Sequence, residues 1–194
     1  MSHFIKKILI LILLCYLGNG VYTENDNMSE QLYIITIPES YLNYSQTSAE
    51  RAATSYIELG EMYCTTAYVM GKDVVIEVNE RQRENLIARN NELIKSFIEP
   101  FLESNPKYSY SINEDCTELT YYFDENISTM IQLNAVFGVA TGYGLNYILE
   151  NSDPDWEMHI AIYNCHTNKL VVEGNIPTGG FSYGASEWEA SYAE

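Results

Sequence analysis

The chain has 194 residues, a formal net charge of −17 and a calculated pI near 4.4, with 17 tyrosines against 6 phenylalanines and 2 tryptophans. So acidic a chain repels phosphate backbones and anionic headgroups, which excludes nucleic-acid and membrane-surface binding as expected roles. One domain's worth of chain is present, enough to bury a core without covalent staples.

The N-terminus has the layout of a secretory signal peptide over residues 1–20. Lys6 and Lys7 form a basic start, Ile8 to Leu14 an apolar run extended by Cys15-Tyr16-Leu17, and Gly18 and Gly20 supply small residues before a cut. The run is too short to span a bilayer, which takes roughly 20 residues. Cleavage leaves 8 basic residues (10 less Lys6 and Lys7) against 27 acidic ones, hence 8 − 27 = −19. A secreted or cell-surface protein is expected, with no membrane insertion after cleavage. Residues 21–30 are polar and read as a disordered lead-in. Asn27, Asn43 and Asn126 begin glycosylation triplets.

Residues 31–176 read as one α+β domain. Gln31 to Ile37 is β-branched and aromatic, a strand stopped by Pro38. Thr47 and Glu50 have capping-box spacing, and Ala49, Ala52, Ala53, Tyr56, Ile57 and Tyr63 then share a helical face. Thr65 to Met70 and Val74 to Val78 make a hairpin about Gly71-Lys72-Asp73. Asn79 with Gln82 caps a long helix striped by Leu86, Ile87, Leu93, Ile94, Phe97, Ile98, Phe101 and Leu102; Pro100 is expected to kink or shorten its last turn, and Asn105-Pro106 to end it.

Tyr108, Tyr110 and Ile112 alternate with Ser109 and Ser111, and after a polar turn Leu119, Tyr121 and Phe123 alternate again. Residues 126–149 carry no Asp, Glu, Lys or Arg, and read as a helix needing cover from the sheet, the 80–104 helix or a second copy of the chain. Met158 to Tyr163 and Leu170 to Val172 form a last hairpin. The order is a strand followed by helix–strand–strand three times. The predicted fold is one antiparallel sheet of about six to seven strands, with three helices mainly on one face. The tail 177–194, rich in Gly, Ser and aromatics, reads as flexible.

Few residues suggest chemistry. His159 and His166 are the histidines left after cleavage, and neither accompanies a nucleophile motif. Cys64, Cys116 and Cys165 lack the Cys-x₂-Cys spacing of a zinc site, so no metal or other cofactor is expected. In an oxidising compartment Cys116 and Cys165, at comparable hairpin turns, are the expected disulfide. Asp124-Glu125 and Asp153 to Glu157 do not match an EF-hand loop, and Gly138 to Gly144 lacks the strand and lysine of a phosphate loop. No catalytic residue is assigned.

Tyrosine remains. Tyr108, Tyr110, Tyr121, Tyr122 and Tyr163 fall in strands, and a sheet presenting them outward would suit a protein or a glycan. A non-enzymatic binding module is the first expectation. Alternatives are a secreted hydrolase using Asp115, Glu118 or Asp155, and an acidic inhibitor or immunity-type partner of a basic protein.

Overall fold

A computed structural model describes residues 31–193; the signal segment, the lead-in and Asn27 lie outside the described residues. The fold is α+β, but with two sheets rather than one, and with five helices among the described residues rather than three. Strand β1 is Leu32–Ile37, followed by a short helix α1, Glu39–Tyr44, and by α2, Ala49–Glu58. The hairpin β2, Thr66–Met70, and β3, Asp73–Asn79, leads into α3, Glu80–Ser104. Strands β4, Ser109–Ile112, and β5, Glu118–Phe123, precede a continuous helix α4 over 129–151. Strands β6, Met158–Asn164, and β7, Leu170–Ile176, precede α5, Ala185–Tyr192.

The first sheet has the order β1-β3-β2, all antiparallel. The second has the order β4-β5-β6-β7, and its central pair, β5 with β6, is parallel. This corrects the expected single antiparallel sheet. Alternation tells which face a residue occupies but not which strand is its neighbour. The parallel pair follows from α4, whose length carries the chain back along the sheet, so that β6 begins at the end where β5 began.

Local signals explain the elements. Asn79 and Gln82 form a reciprocal capping box: Gln82 N–H donates to Asn79 Oδ1 (2.9 Å), and Asn79 N–H donates to Gln82 Oε1 (2.8 Å). Helix α3 continues through Pro100 and ends at Ser104, just before Asn105-Pro106. The cap of α2 is Ser48, not Thr47, its hydroxyl accepting from Arg51 N–H. Helix α1 lacks a sequence signal of its own; Pro38 starts it and Asp73 Oδ1 accepts from Glu39 N–H (2.8 Å). In the tail expected to be loose, Glu187 Oε2 accepts from Gly184 N–H (2.7 Å) and starts α5, which buries Trp188 against Phe123 (ring centroids 5.4 Å).

One cluster of buried side chains joins both sheets and the helices. The uncharged helix α4 sits inside it: Ala135, Val136, Val139, Ala140, Ile148 and Leu149 are all fully buried. Its glycines are contact points. A Cβ on Gly142 would meet Ile94 of α3, and one on Gly144 would meet the indole of Trp156. Midway, Asn134–Gly138 form a π turn in which Val139 N–H reaches back to Asn134 O. The Tyr121 phenol donates to Ala135 O within this turn (2.6 Å), tying the helix to the second sheet.

The polar residues of α4 are satisfied from α3. Asn90 Nδ2 donates to Gly142 O (2.6 Å) and to Asn146 Oδ1 (2.7 Å), and Asn146 Nδ2 donates to Asn91 Oδ1 (2.7 Å). Asn90 and Asn146 are both buried. Asn90→Ala is expected to strand acceptors in the core and cost about 1–3 kcal/mol, read as a lower urea midpoint at unchanged slope. An unchanged midpoint would show that the network holds nothing.

Candidate functional site

The second sheet turns one face to the core and the other to solvent. Leu119, Tyr121, Phe123, Met158, Ile160 and Ile162 point inward and are fully or almost fully buried. On the opposite face stand Ser109 and Ser111 of β4, Glu118, Thr120 and Tyr122 of β5, His159, Ala161 and Tyr163 of β6, and Glu173 and Asn175 of β7, placed by strand register.

This geometry divides the five tyrosines singled out from sequence. Tyr122 and Tyr163 are register partners on the open face, half-buried, with centroids 5.2 Å apart and planes 19° apart. Tyr121 is fully buried on the inner face. Tyr108 is buried too, its hydroxyl donating to Asp124 Oδ1 (2.7 Å). Tyr110 is half-buried and stacks on Tyr121 from the inner side (6.2 Å, 24°). Adjacent residues of a strand face opposite ways, so Tyr121 and Tyr122 could never both point outward.

Toward the start of β6, away from the tyrosine pair, the face is polar and carries acid. The ring nitrogen Nδ1 of His159 lies 2.8 Å from Asn175 Oδ1, and its Nε2 lies 3.4 Å from Glu173. Asn175 Nδ2 donates to Glu157 Oε1 (3.1 Å). No lysine or arginine stands among the outward residues named above.

At the tyrosine pair's own end of the sheet lies a second polar cluster. Asp124 follows β5 directly, and Cys165 and His166 follow β6, so the parallel pairing brings them together. Asp124 Oδ2 is 2.9 Å from His166 Nε2, while Lys107 Nζ is 3.2 Å from His166 Nδ1. Asp124 is almost wholly buried. Burial opposes its charge, but hydrogen bonds from Tyr108, His166 and Asn126 N–H outweigh it and hold the carboxyl below its usual range. Burial and then the Asp124 carboxylate push the Cys165 thiol up. A raised thiol beside a histidine whose two nitrogens are already engaged is not an activated nucleophile.

The expected Cys116–Cys165 disulfide is absent: Cys64, Cys116 and Cys165 are all free thiols. Parallel pairing is the reason. Cys116 precedes the start of β5 and Cys165 follows the end of β6, so the strand length, about 20 Å with both turns, separates them. Asp115, Glu118 and Asp155, the candidate hydrolase carboxylates, are exposed. None of them lines the groove of about 450 Å³ between Glu125, Gln132, Tyr183, Trp188, Glu189 and Tyr192. No helix among the described residues is long and apolar enough to cross a membrane.

Fold and surface together define an acidic, two-sheet α+β domain with an open tyrosine-bearing sheet face. The chain matches no protein-family model, no curated protein and no solved structure.

Proposed function

We propose that this protein is an exported binding module whose partner is a basic protein seated on the open face of the four-stranded sheet. The observation that carries this reading is the Tyr122–Tyr163 pair, half-buried on the open face, with the exposed Glu118 and Glu173 further along the same face. Tyrosine supplies contact area at low entropic cost and is favoured at the centre of interfaces. The net charge of −17 speeds encounter with a cationic partner and disfavours an anionic one. Export is supported by the basic start and apolar run of residues 6–17.

Ring orientation favours a protein over a glycan as the partner. The two phenols face one another, at nearly the spacing of adjacent strands, so each covers one face of the other. A sugar ring needs a free aromatic face to lie on, and this pair shows none between its members.

The test is surface plasmon resonance of the purified chain against a panel of purified basic extracellular proteins, with a glycan array in parallel. Saturable binding to a basic protein is expected, weakening as salt rises. The double variant Tyr122→Ala/Tyr163→Ala should lose at least about 10-fold in affinity, the range of interface hot spots. Glycan binding that disappears in the same variant, or protein binding that ignores it, would overturn the proposal.

A further inference from the structure

We infer that Asp124, Cys165 and His166 form a binding site for one divalent transition-metal ion of the zinc class. A carboxylate oxygen, a thiol sulfur and an imidazole nitrogen from these three side chains all lie within 4.8 Å of one another. Ligand atoms around a tetrahedral ion, bound at about 2.0–2.3 Å, are separated by about 3–4 Å, so small side-chain movements suffice. Thiolate, imidazole and carboxylate together suit zinc better than calcium or magnesium, which take oxygen alone. Three protein ligands leave the fourth position for water or a further ligand.

The surroundings orient the ligands. The Tyr108 hydroxyl and Asn126 N–H both donate to Asp124 Oδ1, at 2.7 and 2.9 Å, and leave Oδ2 turned toward His166. Cys165 is fixed by its own N–H, which donates to Phe123 O (2.9 Å), and His166 by its N–H, which donates to Asn164 Oδ1 (2.9 Å). Such second contacts are what hold metal ligands in place.

Binding is a proton exchange without redox change. The Cys165 thiol releases its proton to solvent as sulfur takes the ion. The imidazole moves its proton from Nε2 to Nδ1 as Nε2 takes the ion, and the Asp124–His166 hydrogen bond is replaced by coordination. Lys107 then loses its acceptor at Nδ1 and swings away. It is exposed, and it is the cation that competes with the metal.

Sequence spacing hides this site because its carboxylate lies 42 positions from His166, and Cys64 and Cys116 take no part in it.

Adding one equivalent of Co²⁺ to the purified reduced protein tests the inference. A thiolate-to-cobalt charge-transfer band is expected, and native mass spectrometry with Zn²⁺ should show one ion per chain. Cys165→Ser should abolish the band, whereas Cys64→Ser and Cys116→Ser should keep it. Tyr108→Phe should weaken Zn²⁺ binding about 10–100-fold. Lys107→Ala should tighten it roughly 10-fold by removing the neighbouring charge. No band in the unaltered protein, or a band that survives Cys165→Ser, overturns the site.

Discussion

Gly144→Ala is expected to destabilise the protein by about 1–3 kcal/mol, although alanine in an ordinary helix interior stabilises by about 1 kcal/mol relative to glycine. The sign reverses because of what lies against the glycine. A Cβ there would stand 2.5, 2.6 and 2.7 Å from three atoms of the Trp156 indole. That ring cannot simply turn aside, being 3 % exposed and held edge-on by Tyr41 (5.9 Å) and Tyr44 (6.2 Å). Relief must come from moving α4 or from dislodging three packed aromatics. Gly142→Ala provides the comparison. Its Cβ would stand 2.4 Å from Cγ1 and 2.9 Å from Cδ1 of Ile94, as tight a contact but with one aliphatic side chain that can change its χ angles, rather than with a rigid indole wedged by two tyrosines. Thermal unfolding followed by circular dichroism should therefore rank Gly144→Ala below Gly142→Ala. For a chain of this size Tm should fall by roughly 2–4 °C per kcal/mol. A Gly144→Ala protein as stable as the parent would mean that Trp156 is free to move and that α4 is not held as described.

Above pH 10 the protein is expected to lose stability steeply and unfold in one cooperative step. Tyr41, Tyr108 and Tyr121 are buried, and burial raises each phenol above its ordinary value of 10.0; at Tyr108 the hydrogen bond to Asp124 adds to the effect. Tyr183 is pushed up to about 12, again chiefly by burial. In the unfolded chain these phenols ionise near pH 10, whereas in the folded chain they keep their protons. Above pH 10 the native state therefore binds more protons than the unfolded one, and stability falls as pH rises. The stabilisation is complete below pH 10; the share from Tyr183 disappears between pH 10 and about 12, and that of the more deeply buried phenols continues to fall beyond. Each phenol still protonated only in the folded state removes about 1.4 kcal/mol per pH unit, so three of them remove about 4. Tyrosinate absorbance should accordingly rise together with the loss of helix signal. A gradual titration of all 17 tyrosines near pH 10, with the helix signal intact, would contradict the burial described here.

Legibility from sequence follows the range of the interaction. The Asn79–Gln82 box, the Gly71-Lys72 turn and the uncharged run before Glu150 are local, and each element stands close to where its residues place it. What the chain does not write locally is the choice of strand neighbours. Three similar hairpins in a row favour the reading of one antiparallel sheet, whereas the long helix between Phe123 and Met158 makes a strand–helix–strand unit, which joins parallel strands. Two misreadings follow from that choice. One is a disulfide between turns that lie at opposite ends of the sheet, and the other is the separation of Asp124 from its neighbour His166. The tyrosines are sorted by alternation alone: their order along β5 is enough to set Tyr121 and Tyr122 on opposite faces. Trp188 escapes for a different reason. Gly and Ser around it dilute the helix signal of residues 185–192, and the Gly184–Glu187 cap is short-range but lacks the usual Ser or Thr.

The parallel pairing of β5 with β6 also fixes an order in time. Its register partners Glu118 and His159 are 159 − 118 = 41 positions apart, and the first sheet is complete once residue 79 exists. During synthesis the three-stranded sheet can close while the second sheet is still half made. Strand β5 then waits with one hydrogen-bonding edge vacant until α4 and β6 have followed. Through that interval Tyr121 and Phe123 have no completed sheet to lie in, and this half-sheet is the part of the molecule most exposed to pairing with another nascent chain.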